Sequence, residues 1–183
     1  MNFLNEFQQV QKTAQLLYDA PTLEAALDSL AEKINTDLAD KNPVVLCVLN
    51  GAIVMTGKLL PRLTIPLTLD SINASRYQNK TFGRGIEWLY KPRTSLQNRT
   101  VLLVDDILDE GITLKALRDY CLQDGATEVY SVVLIEKTLE HVKPLTADFV
   151  GLTIPNQYIF GYGMDYKGYG RNANGIYACT ETF

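Results

Sequence analysis

Val101 to Leu114 reads VLLVDDILDEGITL, and this stretch decides the fold. Its first four residues are aliphatic and rich in β-branched side chains, without polar alternation. That pattern reads as a strand buried on both faces, as in a parallel sheet. Two carboxylates, Asp105 and Asp106, follow at once and are expected in an acidic turn. Then come Asp109, Glu110, Gly111, Ile112 and Thr113, and a run with helical spacing from Leu114 to Leu122. In open α/β sheets, ligands sit at the carboxyl ends of the strands. The following helix offers unpaired N–H groups and a positive dipole end to an anion. The stretch therefore predicts an α/β fold, with a mainly parallel central sheet flanked by helices and a ligand site at this strand end.

The residue types narrow the ligand. Backbone amides near Asp109 to Thr113 can cradle a phosphate, with the Thr113 hydroxyl as an extra donor. Two adjacent carboxylates repel a phosphate, but they accept hydrogen bonds from sugar hydroxyls or hold a hard metal ion. A ribose 5-phosphate satisfies both ends. A charge run is ordinarily a solvated turn; the order strand, paired acids, acid, glycine, hydroxyl, helix argues against that reading here.

The remaining chain sets the bounds. With 183 residues, 46% of them apolar and 21% charged, one soluble domain with a full core is expected. No apolar run approaches the roughly 20 residues that span a bilayer. The start, MNFLNEFQQVQK, lacks the basic and long apolar regions of a secretory signal. Cys47, Cys121 and Cys179 are scattered without metal spacing and suit a reducing cytoplasm. His141 is the sole histidine, which excludes a multi-histidine metal site. A net charge of −4 leaves no global basic footprint for nucleic acid.

Taken in order, residues 2–18 read as a first helix and residues 21–38 as a clearer amphipathic one. Val44 to Leu49 is a second buried strand, entering Asn50-Gly51-Ala52 and a helix from Ile53 to Leu60. Ile65 to Ile72 and Ile86 to Tyr90 read as strands around a polar stretch of the length that is often functional. Further strands are expected over Val129 to Ile135, with Lys137 at the carboxyl end, and over Asp148 to Ile154. The tail, IPNQYIFGYGMDYKGYGRN over residues 154–172, has the glycines and tyrosines of a ligand loop.

The acidic stretch is similar to the phosphoribosyl-diphosphate (PRPP) motif of the type I phosphoribosyltransferases. With the tail, the chain from about Pro43 onward resembles their hypoxanthine-guanine, or 6-oxopurine, branch. The resemblance implies one domain over residues 1–183, with a core over about 40–153. A hood would come from 154–183 and part of the N-terminus. It implies purine salvage: a 6-oxopurine, hypoxanthine or guanine, joined to PRPP to give IMP or GMP and pyrophosphate. It also implies Mg2+ as cofactor, a homo-oligomer (dimer or tetramer), a cytoplasmic location, and neither nucleic acid nor membrane as partner.

Carried over position by position, the resemblance gives Asp105 and Asp106 the ribose hydroxyls, directly or through the metal. Residues Asp109, Glu110, Gly111, Ile112 and Thr113 would hold the 5-phosphate. Asp109 would be the catalytic general acid/base at the purine N7. Asn50 and Gly51 would form the pyrophosphate loop, with Asn50 where a basic residue is usual. Arg76 and Tyr77 would belong to a catalytic lid, with Arg76 where serine is usual. Lys137 would donate to the 6-oxo group. Tyr158 would stack on the base in place of the usual phenylalanine, and the Ile159 backbone would read its edge. Asp165 would help hold the metal, and Arg171 would pair with the diphosphate. Glu110 stands where threonine is common and is expected to turn its carboxylate outward. Competing readings are a phosphoribosyltransferase for xanthine or adenine, and an RNA-binding regulator on the same fold.

Overall fold

The computed structural model describes residues 3–76 and 86–180. Of the expected lid pair, Tyr77 lies outside the described residues, as does the side chain of Arg76. Central to the chain is a six-stranded sheet in the order β4-β3-β2-β5-β6-β7. Its strands are β2 (Val44–Val48), β3 (Thr68–Arg76), β4 (Ile86–Tyr90), β5 (Thr100–Leu108), β6 (Glu128–Thr138) and β7 (Phe149–Pro155). All neighbours run parallel except β4, which is antiparallel to β3 at the edge. Every residue of β2, and Thr100 to Val104 of β5, is buried, as an aliphatic strand in the middle of a parallel sheet must be.

Helix α2 (Ala20–Asp37) packs on β6 and β7, α3 (Ile53–Leu59) on β2 and β5, and α4 (Ile112–Gln123) on β5 and β6. The start of α2 is well specified. Asp19 accepts from the Thr22 amide at 3.0 Å and from its hydroxyl at 2.6 Å, with Pro21 in the first turn. No helix among the described residues is long and apolar enough to cross a membrane.

Three expectations need correction. The first helix, α1 (Phe3–Thr13), stops short of residue 18, and Gln15–Asp19 forms strand β1. That strand pairs antiparallel with β9 (Gly175–Ala178), which in turn pairs with β8 (Ile159–Phe160), so the two chain ends form a second, three-stranded sheet. The partner lies at the far end of the chain, so local periodicity carries no trace of it. Strand β3 starts at Thr68 rather than Ile65 and runs on to Arg76, because its partner β2 begins only at Val44, opposite Thr68. Strand β5 runs through Asp105 and Asp106 to Leu108, since pairing with β6 continues to Leu108↔Glu136. The acidic pair thus belongs to a strand and not to a turn.

Candidate active site

A cavity of ≈ 380 Å³ opens at the carboxyl ends of β2, β5 and β6, closed over by the tail. It is lined by Asn50, Gly51, Asp105, Asp106, Asp109, Glu110, Gly111, Thr113, Lys137, Tyr158, Ile159, Asp165 and Arg171. Ile112 is the exception among the expected phosphate-loop residues: it opens α4 and its side chain is exposed. Met164 and Ala74 also line the cavity. Sequence reading missed both, because a small or apolar residue in a loop or strand carries no chemical signal.

Asp105 and Asp106 lie on successive residues of a strand, so their side chains leave on opposite faces. The Asp106 amide donates to Asp105 Oδ1 at 3.0 Å. Burial pushes both carboxyls above the ordinary range, and the charge of Asp106 raises Asp105 further. Arg171 acts on Asp106 in the opposite sense without cancelling the effect of burial. Asp106 packs directly on Gly51: a Cβ there would lie 2.0 Å from Asp106 Oδ2. Glycine is thus required in the loop after β2 for a steric reason. Asn50 precedes it across a cis peptide bond from Leu49.

Beyond β5 the chain turns at Gly111, whose φ of +74° suits glycine, and α4 begins with no side-chain cap. Its first-turn amides are left for an external acceptor. The Glu110 carboxylate lies 3.0 Å from His141 Nε2, so the sole histidine meets the phosphate loop from the segment after β6.

Asp109 and Lys137 are paired. Lys137 Nζ lies 3.2 Å from Asp109 Oδ2, with the lysine 10% exposed and the aspartate 40%. A strand-end lysine is ordinarily solvated; this one is buried in the wall of the cavity. Tyr158 stands half-exposed at the mouth, with Tyr166 edge-on at 5.3 Å. Tyr166 is held in turn by Glu6 of α1 at 2.6 Å.

Asp165 and Arg171 engage each other at 2.5 Å, and Asp165 also accepts from the Gly168 amide at 2.7 Å. Arg171 Nη1 donates to the Gly163 carbonyl at 2.7 Å. Gly163, at φ +110°, presses its Cα against the Gly51 carbonyl, which a Cβ would meet at 2.1 Å. One residue earlier, the fully buried Tyr162 donates to Glu24 of α2 at 2.6 Å. Glu24 is also bonded by Lys58 and Arg62, and hydrogen bonds from Lys58 and then Tyr162 hold its carboxyl at about 2. The tail is therefore anchored to the helices beneath the sheet while it faces the cavity.

A family model described as "Phosphoribosyl transferase domain" matches residues 14–167. The chain belongs to the phosphoribosyltransferase family. Within that family, the chain is 32% identical over 159 residues to a hypoxanthine-guanine phosphoribosyltransferase of Streptococcus pneumoniae, covering 86% of this chain and 88% of the relative. A hypoxanthine-guanine phosphoribosyltransferase of Streptococcus mutans is 31% identical over 88% of this chain and 91% of its own length. Among solved structures, a hypoxanthine-guanine phosphoribosyltransferase from Bacillus anthracis superposes with a TM-score of 0.81 at 29% identity, covering 89% of this chain and 95% of that one. The phosphoribosyltransferase fold accounts for placing the acids of β5 at the strand end that also carries the glycine loop and the uncapped helix.

Proposed function

We propose that this phosphoribosyltransferase joins a 6-oxopurine, hypoxanthine or guanine, to PRPP, forming the purine nucleotide and releasing pyrophosphate. The observation that carries the reading is the Asp109–Lys137 pair. A buried ammonium and a half-exposed carboxylate meet at 3.2 Å in the same cavity as the acidic pair and the phosphate loop. Lysine is a donor only, so it rewards a carbonyl acceptor on the base and offers nothing to an amino group. Asp109 accepts the N7 proton as N9 attacks the sugar and the C1–diphosphate bond breaks, and it returns that proton only in the reverse reaction. Tyr158 supplies a stacking face, and the Ile159 backbone lies along the base edge.

The amides of residues 109–113 and the Thr113 hydroxyl hold the 5-phosphate. Asn50, Gly51 and Arg171 hold the diphosphate, with Arg171 leaving Asp165 to do so. The donors suit a hard cation: oxygen ligands only, with two buried carboxylates whose charge burial disfavours. No group of three His, Cys, Asp or Glu stands ready-made among the described residues, so substrate oxygens and water would complete the shell. Asp105 and Asp106 would hold Mg2+, with Asp165 holding its waters, and the ion when bound supplies charge neutralisation for the departing diphosphate. The small sheet of the chain ends acts as a hood over the base, and the chain works as one unit in a reducing cytoplasm. Exposed Ile53 and Leu69 beside an open groove on α3 and β3 support assembly as a homo-oligomer.

The test is nucleotide formation from PRPP and magnesium with hypoxanthine, guanine, xanthine and adenine. Product with hypoxanthine or guanine and none with adenine is expected. Turnover of adenine or xanthine alone would reject the purine assignment while leaving the family intact.

A further inference from the structure

Lys143 lies in the segment between β6 and β7, and its side chain is only 8% exposed. Its ammonium makes three contacts: Glu136 Oε1 at 3.0 Å, the Leu108 carbonyl at 3.2 Å and the Lys137 carbonyl at 2.5 Å. An ammonium has three N–H groups, so this one is fully used. Two of the acceptors are backbone atoms on neighbouring strands. Registered pairing of β5 with β6 ends at Leu108↔Glu136. Lys143 bridges the two strands just there, where β5 turns into Asp109 and β6 delivers Lys137. The adjoining Pro144 and Leu145 pack within 3.5 Å of where a Cβ on Gly111 would lie, a contact that does not involve the Lys143 side chain.

We propose that Lys143 is a positioning residue for purine recognition, fixing the backbone on which Asp109 and Lys137 stand. It touches neither substrate nor reacting atoms, and the proposal rests on the reading of that pair as the purine site. Without the bridge, the separation of β5 and β6 at their ends is free to vary, and with it the spacing of the two side chains that grip the base. The phosphate amides are set by α4 and Gly111 and should feel less of this.

Steady-state nucleotide formation by Lys143→Met and Lys143→Gln in the full chain tests it. The Met variant should lose about 10- to 100-fold in kcat/KM for hypoxanthine or guanine, the scale of a small misplacement near the chemistry. KM for PRPP should stay within about twofold, which a general loss of structure would not allow. Gln still donates to a carbonyl oxygen and should lose less; Lys143→Arg, which donates to both, should recover most of the purine KM. If the Met variant does not fold, the Gln variant carries the same comparison. Wild-type purine KM in a folded Met or Gln variant would overturn the inference, as would equal losses toward purine and PRPP. A wild-type chain that turns over none of the four bases would instead remove the reading beneath it.

Discussion

The end of β5 carries two acidic sites with opposite electrostatics. Asp105 and Asp106 are pressed into the sheet end and against Gly51, and burial lifts both carboxyls above their ordinary range. Asp109, a turn further on, is half-exposed and has Lys137 as an internal counter-ion. The first site disfavours its own charge, which in the proposed reading a cation would offset. The second has its counter-charge within the protein, so no cation is needed to balance it. In the proposed reading one strand end serves sugar and purine by leaving burial dominant at one pair of acids and giving the other acid a buried lysine.

Substitutions that remove one side at a time break this comparison in different ways. Asp109→Asn keeps size and hydrogen bonding but cannot move the N7 proton; kcat should fall by about 10² to 10⁴. Single-turnover kinetics would locate the loss in the chemical step, and near-normal turnover would reject the role.

Asp105→Asn should do the reverse to stability. A carboxyl whose folded pKa is raised favours folding below its unfolded value, and that contribution fades as pH rises through the raised value. At neutral pH, above the ordinary carboxylate range, the two buried carboxyls therefore oppose folding. The Asn variant should melt higher than wild type near pH 7 by about 2–4 °C, for ~1 kcal/mol in a chain of this size, while activity falls. A lower melting point would show that the pair is not frustrated in the way the geometry indicates.

Glu24→Gln, away from both acidic sites, sharpens the contrast, because Glu24 has its pKa lowered rather than raised. Its stabilisation is full above the ordinary carboxylate value of 4.5 and is lost as pH falls through about 2. The variant should be less stable than wild type by about 1–2 kcal/mol at pH 7, judged by hydrogen bonds to a charged group. Denaturant melts should converge as pH drops from 4.5 toward 2; a gap that widens on acidification would contradict the assignment.

The smallest effect is expected from Glu110→Thr. The carboxylate faces His141 at an exposed position. Its removal should leave PRPP binding unchanged or tighten it by at most about fivefold, the range of a surface charge. Marked weakening would mean that Glu110 holds the phosphate loop through His141.

The acidic end of the cavity was legible because it is local. An aliphatic strand, two acids, a glycine and a hydroxyl before a helix form one continuous segment, and the backbone periods of strand and helix place them at one end of the sheet. Lys137 was legible only as a lysine after a strand; the cavity it lines is completed by Tyr158, Asp165 and Arg171, far along the chain. What the sequence hid is what distant segments supply. Strand β1 exists because β9 pairs with it, the anchor of Tyr162 is Glu24, and Lys143 reads as one more surface lysine until β5 and β6 are side by side. The acidic pair was expected in a turn because charge signals a loop, whereas pairing with β6 carries the strand past it.

Binding of product isolates the purine end of the comparison from the chemistry. Calorimetric titration of the chain with inosine, guanosine and adenosine 5′-monophosphates, in magnesium and pyrophosphate, measures it directly. The account predicts that the two 6-oxo nucleotides bind at least about a hundredfold more tightly than the 6-amino one, the discrimination a dedicated donor can give. It also predicts that Lys137→Met removes most of that difference. Equal affinity for all three, or preference for adenosine 5′-monophosphate, would contradict the assignment of the Asp109–Lys137 pair to a 6-oxopurine.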